Sequence, residues 1–168
     1  GLESLNSSVT HKFGGYRGLV QAAKVRLSAS KSEDSGIELS TAHLDIVNNV
    51  LKVIALNGVL PYAWATIRIG LCLKVVEVCV KSLRERGWTT DETTFAESSC
   101  HLISLLDKFS NDAPFTIQRL TEVLLDSFQY SVTHKLLKAL EKLSNVETTL
   151  EQVDDGTGEI TLVEPVSY

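Results

Sequence analysis

From Pro61 to Arg86 the chain reads PYAWATIRIGLCLKVVEVCVKSLRER, and this run limits the available folds more than any other feature. Thr66, Gly70, Lys74, Glu77, Lys81 and Arg84 recur at three- and four-residue intervals and make one narrow polar strip. Nearly everything else in the run is apolar. A helix with so thin a polar side must be covered by neighbours around most of its circumference. The run therefore predicts a long helix, opened by Pro61, at the centre of an α-helical bundle. Arg68 interrupts the apolar side. It is expected either to extend its head group towards water or to anchor a partner's carboxylate.

The flanking sequence supplies other helices. Residues 1–15, rich in Ser, Gly and Asn, read as a flexible lead-in. A helix is expected from Tyr16 to Ser28, followed by a polar loop, SASKSEDSG, from Ser28 to Gly36. Thr41 can cap the next helix, in which Leu44, Val47, Val50, Leu51 and Ile54 form one apolar stripe. The sequence LNG, Leu56–Gly58, stops it, because glycine accepts the left-handed conformation that closes a helix. Residues 16–87 thus read as a helical domain and 88–94 as a linker, with Trp88 tacking it down.

Beyond the linker, a helix from Phe95 to Phe109 turns Leu102, Ile103, Leu105, Leu106 and Phe109 inward and ends at SNDAP. Thr116 is placed to cap a further helix, with Phe115 and Leu120 in the arrangement of a hydrophobic staple. Ile117, Leu120, Val123 and Leu124 make its inner face; Gln118, Arg119, Glu122 and Asp126 make its outer face. A last helix starts near Ser131, with Val132, Leu136, Ala139, Leu140 and Leu143 inward and His134, Lys135, Lys138, Glu141 and Lys142 on the opposite arc. From Val146 to Val166 the periodicity changes to β-branched runs around DDGTG, the pattern of a hairpin. Three helices and a hairpin make a winged-helix plan for residues 95–168, with Asp154–Glu159 at the tip of the wing. The expected fold class is mostly α: an N-terminal helical bundle or repeat packed on a C-terminal winged-helix-like domain with a β-hairpin wing. A faint internal echo, in which the helix starts at Thr66-Ile67 and Thr116-Ile117 both follow a stop and a proline, fits either a duplicated helix-turn-helix or generic helix punctuation.

Motifs for chemistry are missing. The chain has no phosphate-binding glycine loop, no dinucleotide fingerprint and no nucleophile elbow. His43, His101 and His134 lie far apart and lack zinc-type spacing to the three cysteines. Cys72 and Cys79, seven apart on the long helix, read as core residues, and Cys100-His101 is not completed by further ligands. DDGTGE lacks the closing glutamate of a calcium loop. Glu147 and Glu151 sit in or near a strand with no pocket implied. Neither an enzyme nor a bound cofactor or metal is expected.

The choice is then between nucleic acid and protein as partner. The lysine row Lys135, Lys138 and Lys142 alone would suit phosphates. Yet the chain carries a net charge of −5, and from Val146 onwards it has six acidic residues and no lysine or arginine. A wing so charged would repel a phosphate backbone. The same alternation of basic helix and acidic wing suits a protein of complementary pattern, so no nucleic acid partner is expected. Three cysteines, an odd number, do not make a secreted disulfide framework and point to a reducing interior. No export signal or bilayer-length apolar run is present, and no membrane partner is expected. The absence of any methionine, with Gly1 at the start, fits an excised piece of a longer polypeptide.

PFTIQRL, Pro114–Leu120, closely resembles the signature of the protein phosphatase 4 regulatory subunit 2 family. EVLLD, Glu122–Asp126, fits its leucine-rich continuation, and Tyr130 with THKLLKALEK, Thr133–Lys142, is similar to the family's following run. The helix, LNG, PYAWATI and long apolar helix between Leu44 and Arg86 resemble its N-terminal layout more loosely. Thr121 stands where a cysteine is common and Leu143 where asparagine is frequent, and the family's long acidic tail is not in this sequence. The resemblance implies a non-catalytic subunit that binds the phosphatase 4 catalytic subunit and a scaffold-type third subunit, in the nucleus and cytoplasm and at centrosomes, with a role in DNA-damage repair. Any metal would belong to the catalytic partner. Arg68, Gln118, Arg119, Lys135, Lys138 and Lys142 are the candidate partner-binding residues; a nucleic-acid-binding winged helix is the alternative.

Overall fold

In a computed structural model, which describes residues 1–28, 41–154 and 160–163, the long apolar run becomes the axis of the molecule. Among the described residues the helices are α1 (Leu2–Phe13), α2 (Tyr16–Ser28), α3 (Thr41–Asn57), α4 (Trp64–Arg86), α5 (Phe95–Asp107), α6 (Ile117–Leu125) and α7 (Thr133–Ser144), with a 3-10 turn at Ser127–Gln129. Three short strands accompany them, β1 (Val59–Leu60), β2 (Glu151–Asp154) and β3 (Ile160–Val163). The Ser28–Gly36 loop beyond Ser28, and the Asp155–Glu159 part of the expected wing tip, lie outside the described residues.

α4 is the central element, as its narrow polar strip predicts. Trp64, Ile67, Ile69, Leu71, Leu73, Val75, Val76 and Val78 are all buried, together with Cys72 and Cys79. α1, α2, α3, α5, α6 and α7 all pack against it. Even the strip is partly covered: Lys74 is only 7% exposed and its charge is matched by Glu77 at 3.2 Å. Gly70 lets α1 and α3 approach, since a β-carbon there would sit 3.4 Å from Val47 and 3.7 Å from Leu2. One continuous apolar core runs from Leu2 through α4 to Leu150. It does not break at residues 88–94, so the expected linker connects two parts of the same core. Trp88 holds that connection, donating its indole N–H to the Thr93 carbonyl at 2.7 Å and meeting Phe95 and His134 edge-on.

Three readings of the sequence need correction. Residues 1–15 are not a free lead-in. Leu2, Leu5 and Val9 form a buried stripe on α1, and Asn6 donates to the Thr66 carbonyl of α4 at 2.7 Å. The long helix starts at Trp64 rather than Pro61, because Ala63 at its N-cap is extended, with φ −58° and ψ 148°. Phe115 is 44% exposed and staples nothing to the core, while the Thr116 hydroxyl makes no cap for its own helix.

The strands close the fold where α3 hands over to α4. β3 pairs antiparallel with β2, Glu151 opposite Val163 and Asp154 opposite Ile160. Its other edge takes β1, Val59 opposite Thr161 and Leu60 opposite Ile160, giving the order β1-β3-β2. Gly58, at φ 72°, makes the sharp exit from α3 that aims the chain into β1, and its N–H returns to the Ile54 carbonyl at 2.9 Å. The approach to β2 is pinned as well, by Leu150 N–H to the Ala113 carbonyl and Phe115 N–H to the Thr148 carbonyl.

Candidate protein-binding surface

The first turn of α6 carries two of the candidate residues and is occupied inside the molecule. The last carbonyls of a helix have no partner within it and need outside donors. Gln118 supplies one to α3, its side-chain N–H donating to the Ala55 carbonyl at 3.2 Å. Thr116 supplies another to α7, its hydroxyl donating to the Leu143 carbonyl. Ile117 and Leu120 are fully buried. PFTIQRL thus acts as a junction that closes the ends of two other helices. Of the two candidate residues on this turn, Arg119 is the one that points away, paired with Glu122 at 3.1 Å on the exposed side.

Arg68 is also held within the chain. Its guanidinium lies 3.9 Å from the centre of the Tyr16 ring and donates to the Ser110 carbonyl at 3.4 Å. Burial raises the Tyr16 phenol far above its usual range, so the ring meets the cation in its neutral form. Arg68 therefore joins α2, α4 and the end of α5.

The α7 lysines divide. Lys138 reaches Glu92 at 3.8 Å in an exposed pair, and His101 meets Glu141 at 3.6 Å. Such pairs at the surface contribute little to stability. Lys135 and Lys142 are exposed and have no ion pair among the described residues. α7 runs from the C-terminal end of α4, where Thr133 shares a buried hydroxyl hydrogen bond with Ser82 at 2.8 Å, to the junction at Thr116. The hairpin is tied to β1, immediately before α4 begins. At about 1.5 Å per residue, the two ends of α4 stand roughly 30 Å apart. Only the Lys142 end of the lysine row is therefore near the acidic strand; the Lys135 end belongs to the opposite pole.

That opposite pole holds a group that periodicity did not single out. Phe128, in the 3-10 turn between α6 and α7, is 58% exposed. Lys81 Nζ lies 4.9 Å from its ring centre and the Arg86 guanidinium 5.0 Å, so two cations from the last turns of α4 flank one aromatic ring. Arg84 is exposed on the same helix end. The available signal was an aromatic residue in a helix break, required by neither adjoining stripe.

The Ser82–Thr133 bond carries a direct prediction, because it fixes α7 to this pole. Ser82→Ala and Thr133→Val are each expected to destabilise by about 1–2 kcal/mol, as each strands a buried hydroxyl. The double variant should cost less than the two together, since neither group is then left unpaired. Urea unfolding of the four proteins measures the coupling, and strict additivity would mean the two hydroxyls do not bond.

Burial pushes the Cys72 and Cys79 thiols up to about 12, which keeps them protonated and inert. Among the described residues no three His, Cys, Asp or Glu side chains converge as a metal site, and no helix is long and apolar enough to cross a membrane. What the surface offers is exposed cations, an exposed ring with two of them over it, and mixed charge around them. In a comparison with known protein families, the model of a family described as PPP4R2 matches residues 45–160. No curated protein and no solved structure matches the chain.

Proposed function

The chain belongs to the PPP4R2 family, and from that membership we propose that it is a non-catalytic regulatory subunit of protein phosphatase 4. The carrying observation is the extent of the match, which takes in α4, the junction at PFTIQRL and the whole of α7. It binds the catalytic subunit, together with a scaffold-type third subunit, and has no active site of its own. Residues 95–168 serve as a winged-helix-like platform. Support for that reading comes from three successive helices followed by a paired hairpin, and from the bridge between Pro114 and Thr149 beside the second helix. Lys135 and Lys142, having no partner among the described residues, are the members of the lysine row available to another protein. The nuclear, cytoplasmic and centrosomal placement expected from the resemblance belongs to the same proposal.

Immobilised chain should retain purified phosphatase 4 catalytic subunit at micromolar concentration. Absence of retention, with the chain folded by circular dichroism, would count against the reading. Duplex DNA should not be retained even at low salt, where a phosphate-binding surface is at its strongest.

A further inference from the structure

We propose that Phe128, with Lys81 and Arg86 both held over its ring, is the anchor point at which an acidic segment of the catalytic subunit docks. This rests on the reading of the chain as a phosphatase subunit and adds to it a place and a chemistry.

Cations at the end of a helix have an ordinary use, since they complement the partial negative charge of its last carbonyls. That accounts for basic residues on the final turns of α4. It does not account for a large apolar ring brought up to them from another element and left more than half exposed. Leu56, Val25, Val53 and Phe115 are exposed as well, but among the described residues no cation lies over Phe115, whereas two lie over Phe128. The chain carries 21 acidic residues against 16 basic ones, so carboxylates are plentiful. Even so, neither Lys81, Arg84 nor Arg86 has an ion pair among the described residues. These three cations are thus left without a carboxylate in direct contact among the described residues.

The occupant that fits is a polypeptide carrying carboxylates and one apolar side chain. Carboxylates satisfy Lys81 and Arg86, while the apolar group covers the ring and removes it from water. Desolvation by that cover strengthens the charge pairing at its rim, which is how an aromatic and arginine cluster comes to dominate an interface. Single-stranded nucleic acid is the competing occupant, because bases stack on aromatic rings between cations. The surroundings favour protein. Glu85 stands in the same helical turn, and Asp91 and Glu92 lie in the connection beside α7, so an occupant must set separate negative groups among these acids, which spaced carboxylate side chains can do and a continuous phosphate backbone cannot.

The test measures binding of purified phosphatase 4 catalytic subunit to the full chain and to three variants. Phe128→Ala and the double variant K81E/R86E should each weaken binding by about tenfold or more. The control R17E/K52E makes the same change in net charge at exposed positions on α2 and α3 and should bind as the parent does. Added salt should weaken the parent and leave K81E/R86E nearly unaffected. All substituted side chains are at least partly exposed, and thermal melts confirm folding. If the parent binds and Phe128→Ala and K81E/R86E bind equally well, the anchor is refuted and the subunit reading stands. If the folded parent does not bind, both fall. Retention of a single-stranded oligonucleotide by the parent but not by Phe128→Ala would give the ring to base stacking and overturn the proposal.

Discussion

Trp64→Ala is expected to lower stability by about 3–5 kcal/mol, the loss typical of removing a fully buried indole. Trp64 is 1% exposed and opens α4 at the point where the chain leaves β1. Its ring N–H donates to the Phe109 carbonyl at 2.6 Å, a contact that fastens the start of α4 to the end of α5. Truncation leaves a cavity between these elements and strips a buried carbonyl of its donor. Both penalties apply because the surrounding helices are fixed by their own packing and cannot close the gap. Trp64→Phe separates the two parts: it keeps most of the volume and loses the hydrogen bond, and should cost about 1–3 kcal/mol. Against a total of roughly 5–15 kcal/mol for a domain, the alanine variant should show a clearly lower urea midpoint with an unchanged slope. Loss of partner binding in this variant should track the unfolded fraction, because Trp64 lies at the far end of α4 from Phe128. A midpoint within experimental error of the parent would refute the account of how α4 and α5 are joined.

The parts of the fold that could be read in the sequence are those with sustained periodicity. α4 was legible because its polar strip is so narrow, and α5, α6 and α7 because each repeats an apolar side over two or more turns. α1 was not. Leu2, Leu5 and Val9 are spaced for a helix, but Asn6, Ser7 and Ser8 between them, and Thr10 after them, have weak helical preference. Burial against α4 decides the matter, and burial is a property of the assembled bundle. β1 is two residues long, too short for any period, and exists because β3 returns to pair with it. The site was harder still. Gln118 and Arg68 stand on outward or interrupted positions and so looked available; their partners, Ala55 and Ser110, are 63 and 42 residues away. The acidic charge of the hairpin was countable in advance, but its position was not. Tied to β1, the strands lie at the opposite end of α4 from Lys81 and Arg86, roughly 30 Å by helical rise and several Debye lengths of about 8 Å. Their repulsion therefore does not govern the Phe128 pole, where Glu85, Asp91 and Glu92 set the local pattern instead.

Gly18→Ala tests the unforeseen helix, and its expected sign is opposite to the usual one. In most exposed helices replacing glycine by alanine gains about 1 kcal/mol from propensity alone. Gly18 sits in the first turn of α2, directly after the reversal made by Gly14 at φ 78° and Gly15 at φ 131°. A β-carbon on Gly18 would fall 1.8 Å from the Phe13 carbonyl oxygen and 2.9 Å from its carbon. Those are main-chain atoms at the end of α1, so no side-chain rotation relieves the overlap, and the joint between α1 and α2 must open. The cost has a ceiling, because the chain can release α1 altogether. What it then forfeits is the burial of Leu2, Leu5 and Val9, at about 1.5–3 kcal/mol for each such side chain, less the disorder α1 regains. The net loss is expected at about 3–5 kcal/mol, close to that of deleting residues 1–13. Amide exchange gives the local readout: Leu2–Phe13 should lose protection while α4, α5 and α7 retain most of theirs. A variant as stable as the parent would mean that α1 does not pack where the structure places it.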